Sequence, residues 1–200
     1  MVKEAIDNAF GAVPEWELAF RFEAGLLPLA FTATVGERWR RCFERLTSPD
    51  RWGQWIVQAG LATNPPAPSL RNLNEACELR EAIYRVVRAS ISNQPFPQED
   101  IAVINMWASE PPIALEMTSE GKRKLSQGAD LPDRVLAELA RQAIELVTDS
   151  DAIVRVRECA APDCALLFYD ASRPGHRRWC SDGACGTRNR ARRRRAKTKG

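Results

Sequence analysis

Residues 159–200 read "CAAPDCALLFYDASRPGHRRWCSDGACGTRNRARRRRAKTKG", and they hold four of the six cysteines and eleven of the 29 Lys and Arg residues. The thiols fall as C-x4-C-x15-C-x4-C: Cys159, Cys164, Cys180 and Cys185. Two short-spaced pairs joined by a longer loop suit a tetrahedral four-thiolate zinc site, each tight turn supplying two ligands. Soft thiolates favour this metal, and a site with four protein ligands has no open position for water. One structural, non-catalytic Zn2+ is therefore expected. Two disulfides would need export, and no signal-peptide core precedes them. An iron–sulfur cluster also takes four thiolates, though the even pairing fits zinc better. His176, four positions before Cys180, is an alternative ligand made unnecessary by four thiols. A module of some 40 residues buries too little apolar surface to fold unaided. Zinc supplies what is missing, about 10–16 kcal/mol in zinc-finger peptides. Leu166, Leu167, Phe168, Tyr169 and Trp179 are the apolar residues expected around it, and "ALLFYDAS" reads as a short strand between the pairs.

Charge separates in the same place. From Arg173 onward there are eleven basic residues against one acid, a net of +10, while the rest holds 18 basic against 25 acidic, a net of −7. An acidic body with a basic tail calls for a polyanion partner. Beyond Trp179, "SDGACGTRNRARRRRAKTK" reads as a helix with Ser181 as N-cap. Arg188, Arg192 and Arg195 then share one face, and Arg190, Arg194 and Lys197 an adjacent stripe. Together with Arg193, and with Arg177 and Arg178 on the loop before, they form the expected nucleic-acid-binding set. Guanidinium groups pair bidentately with phosphate or with a guanine edge. A solvated tail without a partner is the competing reading.

The body reads as mainly α. "ERWRRCFERL" spaces Trp39, Cys42, Phe43 and Leu46 as an amphipathic helix. "TSPDRWGQWIVQAG" begins a second helix with Ser48 as cap, Pro49 in the first turn, Gly60 after the end, and Trp52, Trp55, Ile56 and Ala59 inward. After the proline-rich 63–69, Ser69 caps a long helix to about Ser92 with Leu73, Ala76, Cys77, Ile83, Tyr84, Val87 and Ile91 inward. A shorter helix spans about Gln98–Ala108 with Ile101, Ile104 and Met106. A hairpin turns at Glu120 and Gly121. "LPDRVLAELARQAIELVTD" is a helix with Val135, Leu136, Leu139, Ala143 and Leu146 inward. A strand is expected from Trp16 to Phe22. The six tryptophans are mostly core, and Cys42 and Cys77 are core thiols. The fold expected is thus a helical N-terminal domain with a small antiparallel β element, then a four-cysteine finger with a basic C-terminal helix.

No catalytic constellation can be assembled: the single histidine lies in the basic tail, and neither a phosphate-binding glycine loop nor a nucleophile elbow occurs. The longest uncharged run, Trp52–Leu70, is 19 residues and carries three prolines, so it is not a membrane span. A non-enzymatic cytoplasmic protein is expected.

The finger resembles the CGNR-type zinc finger of bacterial proteins, which ends in Trp-Cys-Ser, a Cys-Gly-Asn-Arg box and a basic run. Phe168, Asp170, Ser172, Arg178, Trp179, Cys180, Ser181, Cys185, Gly186 and Arg188 match it. Upstream, "LAFTATVGERWRRCFERLTSPDRWGQWIVQAGL" resembles the start of the ABATE-type domain that precedes this finger. The resemblance implies a helical ABATE-like domain over 1–151, a finger over 152–200, and a stress-linked transcriptional regulator. Two departures stand out. Thr187 replaces the Asn of the box, and Ala30 and Ala33 replace the two polar residues of the family's Leu-Asp-Phe-x-Asn-Thr. The expected partner is nucleic acid, DNA before RNA, with the helical domain sensing a small-molecule effector or forming a homodimer. The alternatives are an RNA-binding or ribosome-associated protein and a zinc module for protein contact.

Overall fold

The computed structural model describes residues 13–64, 67–125 and 128–198. Packing divides the chain into two compact units, Met1–Arg45 with Arg155–Gly200, and Leu46–Val154. Compactness thus groups segments from both sides of Leu46–Val154 into one unit. About half of the chain is helical, and among the described residues the strands form three two-stranded antiparallel sheets.

The unit Leu46–Val154 is built from α2 (Pro49–Gln58), α3 (Leu70–Ile91), α4 (Gln98–Ser109), the β3–β4 hairpin (Leu115–Met117 and Arg123–Leu125), α5 (Leu131–Thr148) and the short α6 (Ser150–Ile153). α2 and α3 begin where a side chain satisfies their open N–H groups. Ser48 accepts from Arg51 N at the start of α2. At α3, Ser69 and Asn72 form a reciprocal capping box. Asn72 Nδ2 also donates to Asp133 Oδ1 at 2.7 Å, tying the first turn of α3 to that of α5. α3, α4 and α5 pack against one another, and α2 lies on α3 and α5. The core is Trp52, Trp55, Ile56, Leu79, Ile83, Leu131, Leu136 and Leu139, all fully buried. Trp52 and Trp55 stack with centroids 5.3 Å apart, a favourable offset for two large rings. Arg85 grips the buried Asp100 through Nε and Nη2, at 2.8 and 2.6 Å, and so locks α3 to α4.

The helical periods hold for α2, α3 and α5, with corrections at their edges. Ala59, Cys77, Ile91 and Ile101 are only half-buried. On α4 the inward position belongs to Trp107, and Met106 is 53% exposed. The hairpin turns as expected, with Gly121 N donating to Thr118 O.

Among the described residues the other unit has a single 3-10 turn, Glu15–Glu17, where a strand over 16–22 was expected. It continues through α1 (Leu27–Thr32) and the β1–β2 hairpin, Val35–Gly36 with Phe43–Glu44. Here the expected amphipathic helix over 37–46 does not form. Glu37 and Cys42 take positive φ, 43° and 46°, and Glu37 O receives the amides of Arg40 and Cys42. Phe43 lays its ring over Gly36, where any added Cβ would meet it at 2.2 Å. Arg41 and Arg45 point inward instead of outward. Arg41 Nε meets Glu37 Oε2 at 2.8 Å and its Nη2 bonds Glu17. Arg45 donates to the carbonyls of Glu17, Ala19 and Ala33. Burial, with Arg21 close by, pushes the Arg45 guanidinium down to about 10. Apolar spacing cannot foresee arginines spent on buried oxygens. Cys42 is accordingly exposed, not core, and Trp39 and Trp16 are 51% and 68% exposed. Ala30 and Ala33, the two family departures, are buried at the end of α1.

The remaining elements of this unit are β5 (Val156–Glu158), β6 (Leu167–Tyr169), a π-helical turn (Asp182–Gly186) and α7 (Thr187–Thr198). β5 and β6 pair in the register Val156↔Tyr169, Arg157↔Phe168 and Glu158↔Leu167.

Candidate metal centre

The β5–β6 hairpin carries the first cysteine pair in its connecting loop. Cys159 N donates to Leu166 O at 2.9 Å and Cys164 N to Ala161 O at 3.0 Å, which curls the loop around the two sulfurs. The second pair lies just before the basic helix. Ser181 caps the π-helical turn by accepting from Ala184 N, and Gly186 N donates back to Ser181 O. Cys185 sits within that turn. The two knuckles are joined by Ala160 N to Arg178 O at 2.9 Å and by Cys180 N to Cys159 Sγ at 3.4 Å.

All four Sγ atoms lie within 4.8 Å of one another. Cys164 and Cys180 are 3.7 Å apart, and Cys180 and Cys185 3.5 Å. A tetrahedron with Zn–S bonds of about 2.3 Å has edges of roughly 3.8 Å, so the sulfurs fit one ion. The four cysteines, Ala161 and Phe168 form a buried cluster, with Leu166 and Trp179 packed on it. Leu167 is buried outside this cluster and Tyr169 only half-buried. His176 is exposed and stands outside the sulfur set.

Crowding splits the thiols. Hydrogen bonding with Cys159 raises Cys164 and Cys180 well above an ordinary thiol, and hydrogen bonds from the other three hold Cys185 far below. Four thiols this close cannot all ionise without a cation among them, and metal binding to such a set displaces the protons.

The basic residues divide by what they touch. Arg177 is folded inward: its Nε donates to Trp179 O at 2.9 Å, its Nη2 bonds Cys180 O, and its guanidinium covers the Phe168 ring. Arg178 lies over the Trp179 ring, 5.2 Å from the centroid. Arg190 pairs with Asp182 at 2.7 Å and Arg192 with Asp163 at 2.8 Å. Arg188 reaches Cys185 Sγ at 3.4 Å and Glu37 at 3.1 Å. Burial opposes the Arg188 charge, but the Cys185 hydrogen bond and charge, with Asp163 and Glu37, outweigh it and raise its pKa. Arg193, Arg194 and Arg195 are exposed, with no ion pair among the described residues. The Lys197 side chain lies outside the described residues.

The roles of several residues of this centre escaped sequence reasoning. Asp163, between the first two cysteines, is buried and tethers α7. Asn189 Nδ2 donates to Cys185 O at 2.9 Å. Asp170 is fully buried and accepts from Ser172 N, Ser172 Oγ and Arg177 N. Thr187, at the altered box position, donates its hydroxyl to Asp182 O and so closes the π-helical turn. For Asp163 and Asn189 the only signal was proximity to cysteines; Asp170 and Thr187 stood out in the finger resemblance, but without a role.

A cavity of about 350 Å³ opens beside the sulfurs, its lining including Trp16, Phe43, Glu37, Arg188, Cys180 and Cys185.

A four-thiolate site closed by a short hairpin and a helix start defines the class: a protein with a structural zinc finger. The sequence model of the CGNR zinc finger matches residues 155–198, and that of the ABATE family, described as "Putative stress-induced transcription regulator", matches residues 25–150. The chain belongs to the ABATE family and carries a CGNR zinc finger at its C-terminal end. No curated protein sequence matches it.

Proposed function

We propose that this protein regulates transcription by binding DNA through α7, whose start the zinc centre holds in place. One observation carries the reading: Arg193, Arg194 and Arg195 stand exposed and consecutive on a helix that begins two residues after the metal ligand Cys185. Like charges in a row repel one another, and a polyanion relieves that repulsion. Arg178 lies exposed on the preceding loop. Most such contacts go to phosphates, which position the protein without specifying sequence. The helical unit Leu46–Val154 is left for effector sensing or homodimerisation, and the role is regulatory, not catalytic. None of the helices among the described residues is long and apolar enough to cross a membrane; the cytoplasm is the proposed location.

A second reading, RNA or single-stranded nucleic acid, is favoured by the exposed Trp16 and Trp39, in the same unit as the basic helix. Exposed aromatic faces are platforms for unpaired bases.

Titrating a labelled duplex over a salt series tests the first reading. Binding is expected to weaken with a log–log slope of about −0.9 per phosphate neutralised, and alanine at Arg193, Arg194 and Arg195 together to flatten it. Absence of duplex binding at low salt overturns the reading. Preferential displacement by single strands moves it to the second.

A further inference from the structure

The arginines of α7 are not equivalent, and Arg188 has the least in common with the rest. One of its nitrogens donates to a metal-ligand sulfur, Cys185 Sγ, at 3.4 Å. Another meets Glu37 Oε1 at 3.1 Å, across 151 positions of sequence. Glu37 is itself held. Its side chain is 7% exposed, and its other oxygen takes Arg41 Nε at 2.8 Å and Arg40 Nη1 at 3.5 Å. Arg41 continues to Glu17. A relay thus runs from the zinc ligand to the N-terminal segment, entirely within one compact unit.

This arrangement has a direct chemical consequence. Four thiolates around Zn2+ carry a net charge of about −2. A guanidinium bonded to one sulfur withdraws electron density from it and offsets part of that charge, which slows attack by protons, chelators and alkylating agents. Groups placed this way commonly change metal affinity by about 10–100-fold. Arg188 also lines the cavity that reaches Cys180 and Cys185, so it stands where such reagents would enter.

We propose that Arg188 is a positioning residue of the zinc centre, bonded to the Cys185 thiolate and held there by Glu37, so that metal retention depends on the N-terminal segment. Arg188 thereby leaves the set of nucleic-acid contacts. The proposal stands on the zinc centre alone and is unaffected if the finger binds no nucleic acid.

The test uses the full-length zinc-loaded protein, with Arg188→Ala, Arg188→Lys, Glu37→Gln and, as a surface-charge control, Arg193→Ala. Zinc transfer to excess chromogenic chelator is followed in time. Iodoacetamide labelling of each cysteine is mapped by mass spectrometry. Arg188→Ala and Glu37→Gln are expected to release zinc about tenfold faster than wild type, with Arg193→Ala within about twofold and Arg188→Lys between. Labelling is expected to rise first at Cys185. Release from Arg188→Ala within twofold of wild type overturns the proposal, as does a uniform rise over all four cysteines, the mark of general loosening. If Arg188→Ala purifies without zinc, Glu37→Gln decides: wild-type release from it overturns the proposal, and faster release with Cys185 labelled first supports it.

Discussion

Tyr169 donates its backbone N–H to the carbonyl of Ala24 at 2.8 Å, and the next residue, Gly25, lies against the Tyr169 side chain. A residue near the beginning of the chain thereby continues the hydrogen bonding of the finger's hairpin. The finger is completed by residues far away in sequence.

Gly25 has φ +90°, and an added Cβ would lie 3.3 Å from Tyr169 Cβ. Gly25→Ala therefore combines backbone strain with crowding, and a loss of about 1–3 kcal/mol is expected. Gly121→Ala, at φ +74° with open space around it, isolates the backbone part and is expected to cost less. Denaturant unfolding of both variants checks the order.

Metal removal should act on one unit. Chelation is expected to release one zinc per chain and to abolish the fluorescence signature of the half-buried Trp179. Most far-UV helical signal should persist, because α3 and α5, the two longest helices, belong to the other unit. Cys164→Ser should reproduce this without chelator. Acid should do the same, since protons compete with the metal for the same sulfurs. Metal analysis and circular dichroism on one sample provide the check.

Asp170 is an acceptor for three donors, and hydrogen bonds from the Ser172 hydroxyl and the Arg177 and Ser172 amides hold its carboxyl below the usual range. A carboxylate with a lowered native pKa stabilises the fold above its unfolded value of about 3.9 and loses that contribution as pH falls through the native one. Asp170→Asn keeps the Ser172 contacts but turns an amide toward Arg177 N, donor against donor. A loss of about 1–3 kcal/mol is expected at neutral pH. The difference from wild type should shrink as the pH drops below about 4. Thermal melts across pH measure it.

Trp52 is fully buried against Trp55. Trp52→Ala leaves a large cavity at the contact of α2 with α3 and α5, and a loss of about 3–5 kcal/mol is expected. Zinc content should be unchanged, because the four cysteine ligands lie in the other unit.

What the sequence determined by itself is local. The C-x4-C-x15-C-x4-C spacing named the four ligands. Ser48, Ser69 and Ser181 named helix starts, and the apolar periods of α2, α3 and α5 named most of their buried faces. Each of these signals is complete within one helical turn, or in one recurring residue type, so neighbouring positions suffice to read it. Tertiary structure alone decided the rest. "ERWRRCFERL" carries a helical period, yet Glu37, Arg41 and Arg45 find buried partners and the segment becomes a hairpin. The arginines of α7 look alike in sequence, yet Arg188, Arg190 and Arg192 are held by Glu37, Asp182 and Asp163 while Arg193–Arg195 remain exposed. An ion pair depends on distance in space, and Glu37 and Arg188, 151 positions apart, become neighbours only when the unit folds.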